Sequence, residues 1–324
     1  MKLAKAALLV CALFCLYMET ADAAPEHTLK GVVITSDGTV VREFTLTVRP
    51  VVKKPELLLR RHFKKGEFTI EGLKDQKYQI HISSPMFIPS RVDIDFKTET
   101  KPTGHRIVIL HSYRNEPRFI PGSAHTVSLN ALRQKIPEAA AEAYKKAVEL
   151  HRDGHLEQAL IEYGTAIRHH PKYLEALADV GTIFILYNRP QSALSFLRRA
   201  QQIDDCNPIV NINIAIALTE QRDYGEAMKL FRDVVKTEPR MALAHYYMAK
   251  IHHIQGKYDK AEEALQQAVE ADPQLLDAWL MLANISIEQQ KVDQAREALT
   301  RLRNSITDAV AARIIDEQLA TLGS

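Results

Sequence analysis

Paired histidines are the first residues in this sequence that could carry out chemistry. His151 and His155 are four residues apart, the spacing of two zinc ligands on one face of a helix. Gly154 stands between them at the predicted end of a helix, so we predict that both are exposed turn residues. His169–His170 and His252–His253 are adjacent pairs whose members point in different directions on a helix. We predict that these four side chains are solvated or half-buried.

The other chemically active residue types are isolated. Asp93 and Asp95 share one face of a predicted strand, where they could bind calcium or simply face solvent. Cys206 is the one cysteine left once the N-terminal segment is removed, so it can form no intramolecular disulfide. The sequence has no glycine-rich phosphate loop, no nucleophile elbow, no metalloprotease motif and no cysteine pair for zinc. We therefore predict a protein without enzymatic activity, cofactor or metal.

Small residues recur every 34 residues from about residue 140 onward. One series is Ala147, Gly181, Ala215, Ala249 and Ala283, and a second is Ala159, Ala193, Ala227, Ala261 and Ala295. A third contains Ala166, Ala200 and Ala268, with Val234 and Leu302 at the remaining places. Three series in one register predict an internal repeat with the period of a helix–turn–helix solenoid. The small residues would let the two helices of each hairpin approach closely.

The stretch ALAHYYMAKIHHIQGKYDKAEEALQQAVEADP (242–273) resembles the tetratricopeptide repeat. The resemblance extends over 138–306 and implies five repeats, each a pair of helices. The amphipathic stretch 307–324 is predicted to form a C-terminal helix that caps the last repeat. Two positions depart from the family pattern: the large aromatic expected early in the first helix occurs only as Trp279, and the second turn has Asn188 in place of glycine.

The resemblance implies a concave groove lined by the first helix of each repeat. Transferring the register through the repeats gives these partner-binding positions: Tyr144, Lys145, Ile212, Asn213, Ile216, Tyr246, Tyr247, Lys250, Met281 and Asn284. The second repeat contributes Glu175, Asp179 and Thr182. We predict Tyr246 and Tyr247 as anchors, because aromatic side chains bring a large contact area at low entropy cost. The alternative is that part of this set packs against neighbouring helices.

Residues 28–112 alternate between apolar and polar, as in Phe68/Ile70, and turn signals separate the runs. The alternation predicts a small antiparallel β-sandwich of six or seven strands. KGVVITSDG (30–38) and GEFTIEGLKDQKYQIHI (66–82) resemble the carboxypeptidase regulatory-like domains, which have a transthyretin-like or immunoglobulin-like sandwich. We therefore predict a multidomain chain, in which this sandwich is followed by an all-α tetratricopeptide solenoid.

The N-terminus has the pattern of a secretory signal peptide. Lys2 and Lys5 precede the apolar run AALLVCALFCLYM (6–18), and small residues follow at 21–23. We predict a signal peptide over 1–23 and an exported protein of bacterial type, periplasmic or secreted. Retention of the run as an anchor is the alternative, although it is shorter than the roughly 20 residues that span a bilayer. The turn-rich segment 113–137 is predicted to be a linker with a short helix.

Charge divides the chain. Residues 28–112 contain 15 Lys and Arg against 9 Asp and Glu, a net +6, whereas 138–324 contain 21 against 27, a net −6. Basic runs at Lys53–Lys54, Arg60–Arg61 and Lys64–Lys65 concentrate the first excess. The overall charge of +2 gives no basis for a nucleic-acid partner. Opposite signs favour either docking of the two parts or separate partners.

Two functions follow from these observations. In the first, the protein is an exported, non-enzymatic scaffold that binds a partner peptide or helix in the groove of the solenoid. In the second, the sandwich binds an anionic envelope polymer, a carbohydrate or a membrane surface, and the repeats act as a spacer or a self-association surface. The sequence alone names neither the partner nor the oligomeric state.

Overall fold

Alternating apolar residues build seven strands in the N-terminal part of the protein. The computed structural model describes residues 27–52, 58–84, 87, 89–96, 105–110 and 134–322. The strands are β1 (His27–Thr35), β2 (Phe44–Pro50), β3 (Leu59–Phe63), β4 (Glu67–Leu73), β5 (Lys77–Ser83), β6 (Ser90–Asp95) and β7 (His105–Leu110). The predicted signal peptide, the Lys53–Lys54 run and most of the predicted linker lie outside the described residues.

The strands form two sheets packed face to face. One has the strand order β4-β1-β7 and the other β3-β2-β5-β6. The neighbouring strands are antiparallel except β1 and β7, which run parallel with Val32 opposite Ile107. The predicted sandwich is therefore confirmed, but its smaller sheet is mixed. Apolar alternation locates a strand without fixing the direction in which it pairs, so this parallel pair could not be predicted.

β1 is buried on both faces. Leu29 and Val33 point into the core between the sheets, where they meet the inward residues of β2 and β5. Val32 and Ile34 point the other way and pack against helices at the end of the chain. A strand buried on both sides reads as a continuous apolar run, which explains the sequence GVVI at 31–34.

The second half of the protein consists of helices paired into hairpins. The helices are α1 (Glu138–Arg152), α2 (Leu156–His169), α3 (Leu174–Leu186), α4 (Pro190–Ile203), α5 (Pro208–Glu220), α6 (Tyr224–Thr237), α7 (Ala242–Ile254), α8 (Tyr258–Ala271), α9 (Leu276–Glu288), α10 (Val292–Ser305) and α11 (Ala309–Thr321). The first ten form five consecutive hairpins, and each hairpin packs on the next. The predicted fold class, a small β-sandwich followed by a helical-repeat solenoid, is confirmed.

Each hairpin turns at a residue in the left-handed conformation. These residues are again 34 apart: Gly154, Asn188, Arg222, Gly256 and Gln290, with φ between 53° and 81°. At every turn the backbone N–H of the next residue bonds to a carbonyl five positions earlier, as in His155 N to Leu150 O at 2.8 Å. This is the bond of a Schellman cap. Asn188 departs from glycine without changing the turn, because Asn tolerates this region better than most residues.

The recurrent small residues lie in the interior of the hairpins. The described structure buries all thirteen that were predicted to pack the repeats: Ala147, Ala159, Ala166, Gly181, Ala193, Ala200, Ala215, Ala227, Ala249, Ala261, Ala268, Ala283 and Ala295. Gly181 shows the close approach most directly, because a Cβ atom there would lie 2.4 Å from Cγ of Leu197 on the partner helix. Such a distance leaves room for hydrogen only.

The β-sandwich is docked on the end of the solenoid. α11 begins at Asp308, whose carboxylate accepts from the N–H groups of Val310 and Ala311 at 2.8 and 3.3 Å. Its buried residues join one apolar cluster with residues of α9 and α10 and with Val32 and Ile34 of β1. At the edge of this contact, Gly38 lies against the backbone and side chain of Ile306. α11 is therefore covered by helices on one side and by a sheet on the other.

Apolar contact, rather than opposite net charge, holds the two parts together. The ion pair that the structure records between them joins Arg313 of α11 to Glu67 of β4. Its signs are opposite to the net charges of the two parts, since the solenoid here supplies the cation. An exposed pair of this kind contributes little to stability. The docking of the two parts therefore does not account for their opposite net charges.

We expect Gly181→Ala to destabilise the protein. Because the new methyl group would displace Leu197, the free energy of unfolding should fall by about 1–3 kcal/mol. The matched control is Gly164→Ala on α2, where a Cβ atom meets only Arg168 Nη1, at 3.8 Å, and alanine should add roughly 0.5–1 kcal/mol through helix propensity. Urea unfolding followed by circular dichroism measures both. Equal stabilisation by the two substitutions would contradict the close approach.

Candidate functional site

Polar pairs connect the first helices of successive hairpins, which we call the inner helices (α1, α3, α5, α7 and α9). Tyr144 Oη of α1 donates to Asp179 Oδ2 of α3 at 2.9 Å. Asn213 Nδ2 of α5 donates to Thr182 Oγ1 of α3, also at 2.9 Å. Several positions predicted to contact a partner therefore hold neighbouring repeats together.

The same arrangement continues along α5, α7 and α9. Lys250 Nζ of α7 lies 3.9 Å from Glu220 Oε1 of α5, and His253 Nε2 of α7 lies 3.2 Å from Glu288 Oε2 of α9. Each inner helix is thus joined to the next by a polar pair. Side chains of different repeats meet here because equivalent positions follow each other at the repeat period.

The ten residues predicted to line the groove differ widely in exposure. Tyr144, Tyr246, Lys250, Met281 and Asn284 are half-buried, and Lys145 is exposed. Tyr247 is buried, its ring stacked on Phe231 with centroids 5.8 Å apart. The remaining three, Ile212, Asn213 and Ile216, belong to α5 and are also buried.

In the middle of the inner face, the groove residues of α5 are buried. Its sequence PIVNINIAIALTE is apolar nearly all round, and a helix of that kind is buried on all sides. Asn213 is 2 % exposed, and its amide is committed to Thr182. Ile212, Asn213 and Ile216 therefore offer no surface to a partner in this arrangement, and half-buried positions remain on α1 and α3 and on α7 and α9.

The α1–α3 end contains a carboxylate among aromatic rings. Asp179 accepts from Tyr144, and the Tyr144 ring lies 4.8 Å from that of Tyr173 and 5.7 Å from that of Tyr163. Burial raises the pKa of Asp179 to about 7, although hydrogen bonds from Tyr144 and Tyr163 act in the opposite direction. Glu175, one turn earlier, adds to the rise. The aspartate therefore exchanges a proton near neutral pH.

The surrounding tyrosines show the same apolar environment. Burial raises the pKa of Tyr173 to about 12, and it raises the pKa of Tyr144 and Tyr163 as well. The groove register had already placed Asp179 on this face, but it gave no sign of the tyrosine cluster. The acidic pair Glu175 and Asp179, four apart in the otherwise apolar helix LEALADVGTIFIL, is the signal that could have revealed it.

The α7–α9 end offers a more accessible patch. Tyr246 and Met281 pack against one apolar cluster that includes Leu265 and Ile285. The Lys250 ammonium lies 5.0 Å from the centroid of the Tyr247 ring, within the range of a cation–π contact. Asn284 is half-buried on α9, one turn after Met281 and at the position equivalent to Lys250 in the repeat. We call Tyr246, Lys250, Met281 and Asn284 the C-terminal patch.

The prediction that His151 is exposed is wrong. Its side chain is 1 % exposed, and Nδ1 lies 3.3 Å from the hydroxyl of Tyr163. Burial lowers the pKa of His151 to about 4. The helix continues to Arg152 before the turn at Gly154, so the last turn of α1 carries the ring inward. His155 is exposed as predicted.

Other candidates for chemistry have ordinary surroundings. Asp93 forms an ion pair with Arg91 at 3.3 Å, and Asp95 one with Lys77 at 3.6 Å. Cys206 is exposed. Within the described ranges, no three His, Cys, Asp or Glu side chains are grouped so that they could hold a metal ion. None of the helices that the structure describes has the length and apolar character needed to cross a membrane.

Comparison with known families identifies the repeats. A model described as the second ARM domain of tetratricopeptide repeat protein 21 matches residues 213–290, and a tetratricopeptide repeat model matches 277–305. The chain thus contains tetratricopeptide repeats, and such arrays act as scaffolds for protein–protein interaction. The comparison with curated proteins gave no match. The resemblance of residues 28–112 to carboxypeptidase regulatory-like domains stays a prediction.

Several solved structures are similar to part of the chain. MamA from Desulfovibrio magneticus RS-1 is 20% identical over 52% of this chain and 96% of its own, with a TM-score of 0.47. PilF of Pseudomonas aeruginosa is 18% identical over 57% and 89%, with a TM-score of 0.49. PilW, described as a widely conserved type IV pilus biogenesis factor, is 19% identical over 57% and 94%, with a TM-score of 0.48.

We expect Asp179→Asn to stabilise the protein above neutral pH. The pKa of Asp179 is higher in the folded than in the unfolded chain, so its burial costs no stability below about pH 4, an increasing amount from there to about pH 7, and a constant amount above. The amide removes this cost, and the gain at pH 8 should be about 1–3 kcal/mol. Urea unfolding at pH 5 and pH 8 measures it.

Asp233→Asn is the control for this experiment. Asp233 is exposed, and the Lys236 ammonium lowers the pKa of its carboxyl group. Its substitution should bring no gain at high pH. A stability difference between Asp179→Asn and the native protein that does not change with pH would show that Asp179 remains ionised throughout.

Proposed function

We propose that the protein is an exported, non-enzymatic scaffold that binds an extended peptide or a helix of a partner protein along its inner helices. The observation that carries the proposal is the C-terminal patch, where half-buried Tyr246 and Met281 lie beside the polar groups of Lys250 and Asn284. Apolar anchors with polar groups between them are the composition of a peptide-binding surface.

Two features of the inner face favour the C-terminal patch over the middle of the groove. α5 has its groove positions buried, so contact there would require the repeats to separate. On α7, by contrast, the Tyr247 ring stacks on Phe231. The Tyr246 ring packs edge-on against Tyr247, with their centroids 5.4 Å apart. A pre-positioned aromatic side chain loses little conformational entropy when a partner covers it.

A photo-crosslinking side chain at position 281 tests the binding face in the native host. We expect adducts with a discrete partner from position 281 and none from position 161, because Ile161 is an exposed apolar residue of α2 away from the inner helices. Against the purified partner, Tyr246→Ala should weaken binding roughly tenfold, and Ile161→Ala should not. Equal crosslinking from both positions would count against the patch.

We also propose export through the N-terminal segment. The basic residues, the apolar run and the small residues at 21–23 support cleavage after Ala23. The mature protein should begin at Ala24 when its N-terminus is sequenced from the extracytoplasmic fraction, and deletion of residues 2–23 should leave it in the cytoplasm. An N-terminus that retains residues 1–23 in a membrane fraction would favour the anchor instead.

A further inference from the structure

The four-stranded sheet has one face turned away from the rest of the protein. Phe44, Leu46 and Val48 of β2 point into the core between the sheets, so the alternate residues of β2 point outward. The three-stranded sheet lies on the inner side and docks on α11. The outer face of β3-β2-β5-β6 is therefore remote from the solenoid. A partner bound to this face would not contact the inner helices.

Basic side chains lie on this outer face. In the strand register Arg60 is opposite Thr47, Thr47 is opposite His81, and His81 is opposite Arg91, which makes one row across all four strands. In the next row Arg49 is opposite Gln79. Neighbouring strands are about 4.8 Å apart, so basic side chains on adjacent strands are close neighbours on this face. We call Arg49, Arg60, Lys77, His81 and Arg91 the basic face.

Two carboxylates of this face lie at its β6 edge. Asp93 is paired with Arg91, and Asp95 with Lys77. Among the described residues, neither Arg49 nor Arg60 has an ion-pair partner. The pKa of His81 is lowered by its burial and then by the Arg91 and Arg49 guanidinium groups. The positive charge of the face thus rests on Arg49 and Arg60, which no described carboxylate neutralises.

Exposed apolar side chains border the basic face at one end. Val51 is 51 % exposed, Val52 47 % and Leu58 53 %. The backbone places them beside the same sheet, because Val51 N donates to Lys77 O at 2.8 Å and Leu58 N donates to Val48 O at 3.1 Å. The other four large apolar residues found exposed in the described chain, Ile161, Ile254, Ile287 and Val292, lie on four different helices of the solenoid. Three such residues together beside a charged surface indicate an interaction site.

We propose that the basic face and its apolar border bind the surface of an anionic phospholipid bilayer. An anionic bilayer can contact both parts of this surface. Its headgroups attract the arginines, and its interfacial region can bury Val51, Val52 and Leu58. A soluble anionic polymer would satisfy the arginines but leave the apolar side chains in water. The sandwich would then hold the solenoid at a membrane surface.

Flotation of the mature full-length chain with lipid vesicles tests the proposal. We expect binding to vesicles of phosphatidylcholine and phosphatidylglycerol and none to phosphatidylcholine alone. Arg49→Gln/Arg60→Gln should weaken the partition roughly tenfold or more. Val51→Ser/Leu58→Ser should weaken it severalfold, because each side chain loses its transfer into the interface.

The matched control is Lys229→Gln/Arg232→Gln on α6, which removes the same charge from an exposed surface of the solenoid. It should bind vesicles like the native chain. Circular dichroism verifies that each variant keeps its fold, as expected for exposed positions.

Three results would overturn the proposal. They are absence of binding to anionic vesicles, equal weakening by the control, and unchanged vesicle binding by Val51→Ser/Leu58→Ser. The last result, together with tight binding to dextran sulfate, would assign the basic face to a soluble anionic polymer instead.

Discussion

The close contact between the two helices of each hairpin is the constraint on which the solenoid depends. A side chain larger than a methyl group at the crossing would push the helices apart, and at Gly181 even a methyl group would collide with Leu197. Because the crossing recurs in every hairpin, the small residues recur with it. Each hairpin then presents an apolar side to the next, so burial continues from α1 to α10 through successive apolar clusters.

Stacking has a consequence for the inner helices. Polar residues there face the neighbouring repeat as well as the groove, and the structure uses Tyr144, Thr182 and Asn213 to join repeats. A hydrogen bond between repeats restrains their relative rotation, and the rotation per repeat determines the curvature of a solenoid. These three side chains are engaged between repeats, which is why the proposed recognition surface is the C-terminal patch.

The sequence was sufficient for the fold class but not for the functional surface, and particular residues show why. Period-two alternation located β2 and β5, and the interval between Ala147 and Gly181 located the hairpins, since both depend on local geometry. Three other features depend on what packs against them from elsewhere in the chain: the parallel pairing of β7, the burial of His151 and the burial of α5. The docking of β1 on α11 was one of two outcomes suggested by charge, yet the contact itself is apolar.

The left-handed turns distribute strain unequally among the repeats. Glycine takes this conformation freely, whereas a residue with a Cβ atom pays about 1–2 kcal/mol for it. Arg222 and Gln290 therefore weaken the third and fifth hairpins. The third is clamped between hairpins on both sides, and the fifth is enclosed by α11 and the sandwich. Packing against these neighbours offsets the cost of the two turns, so an array shortened next to either would fray there first.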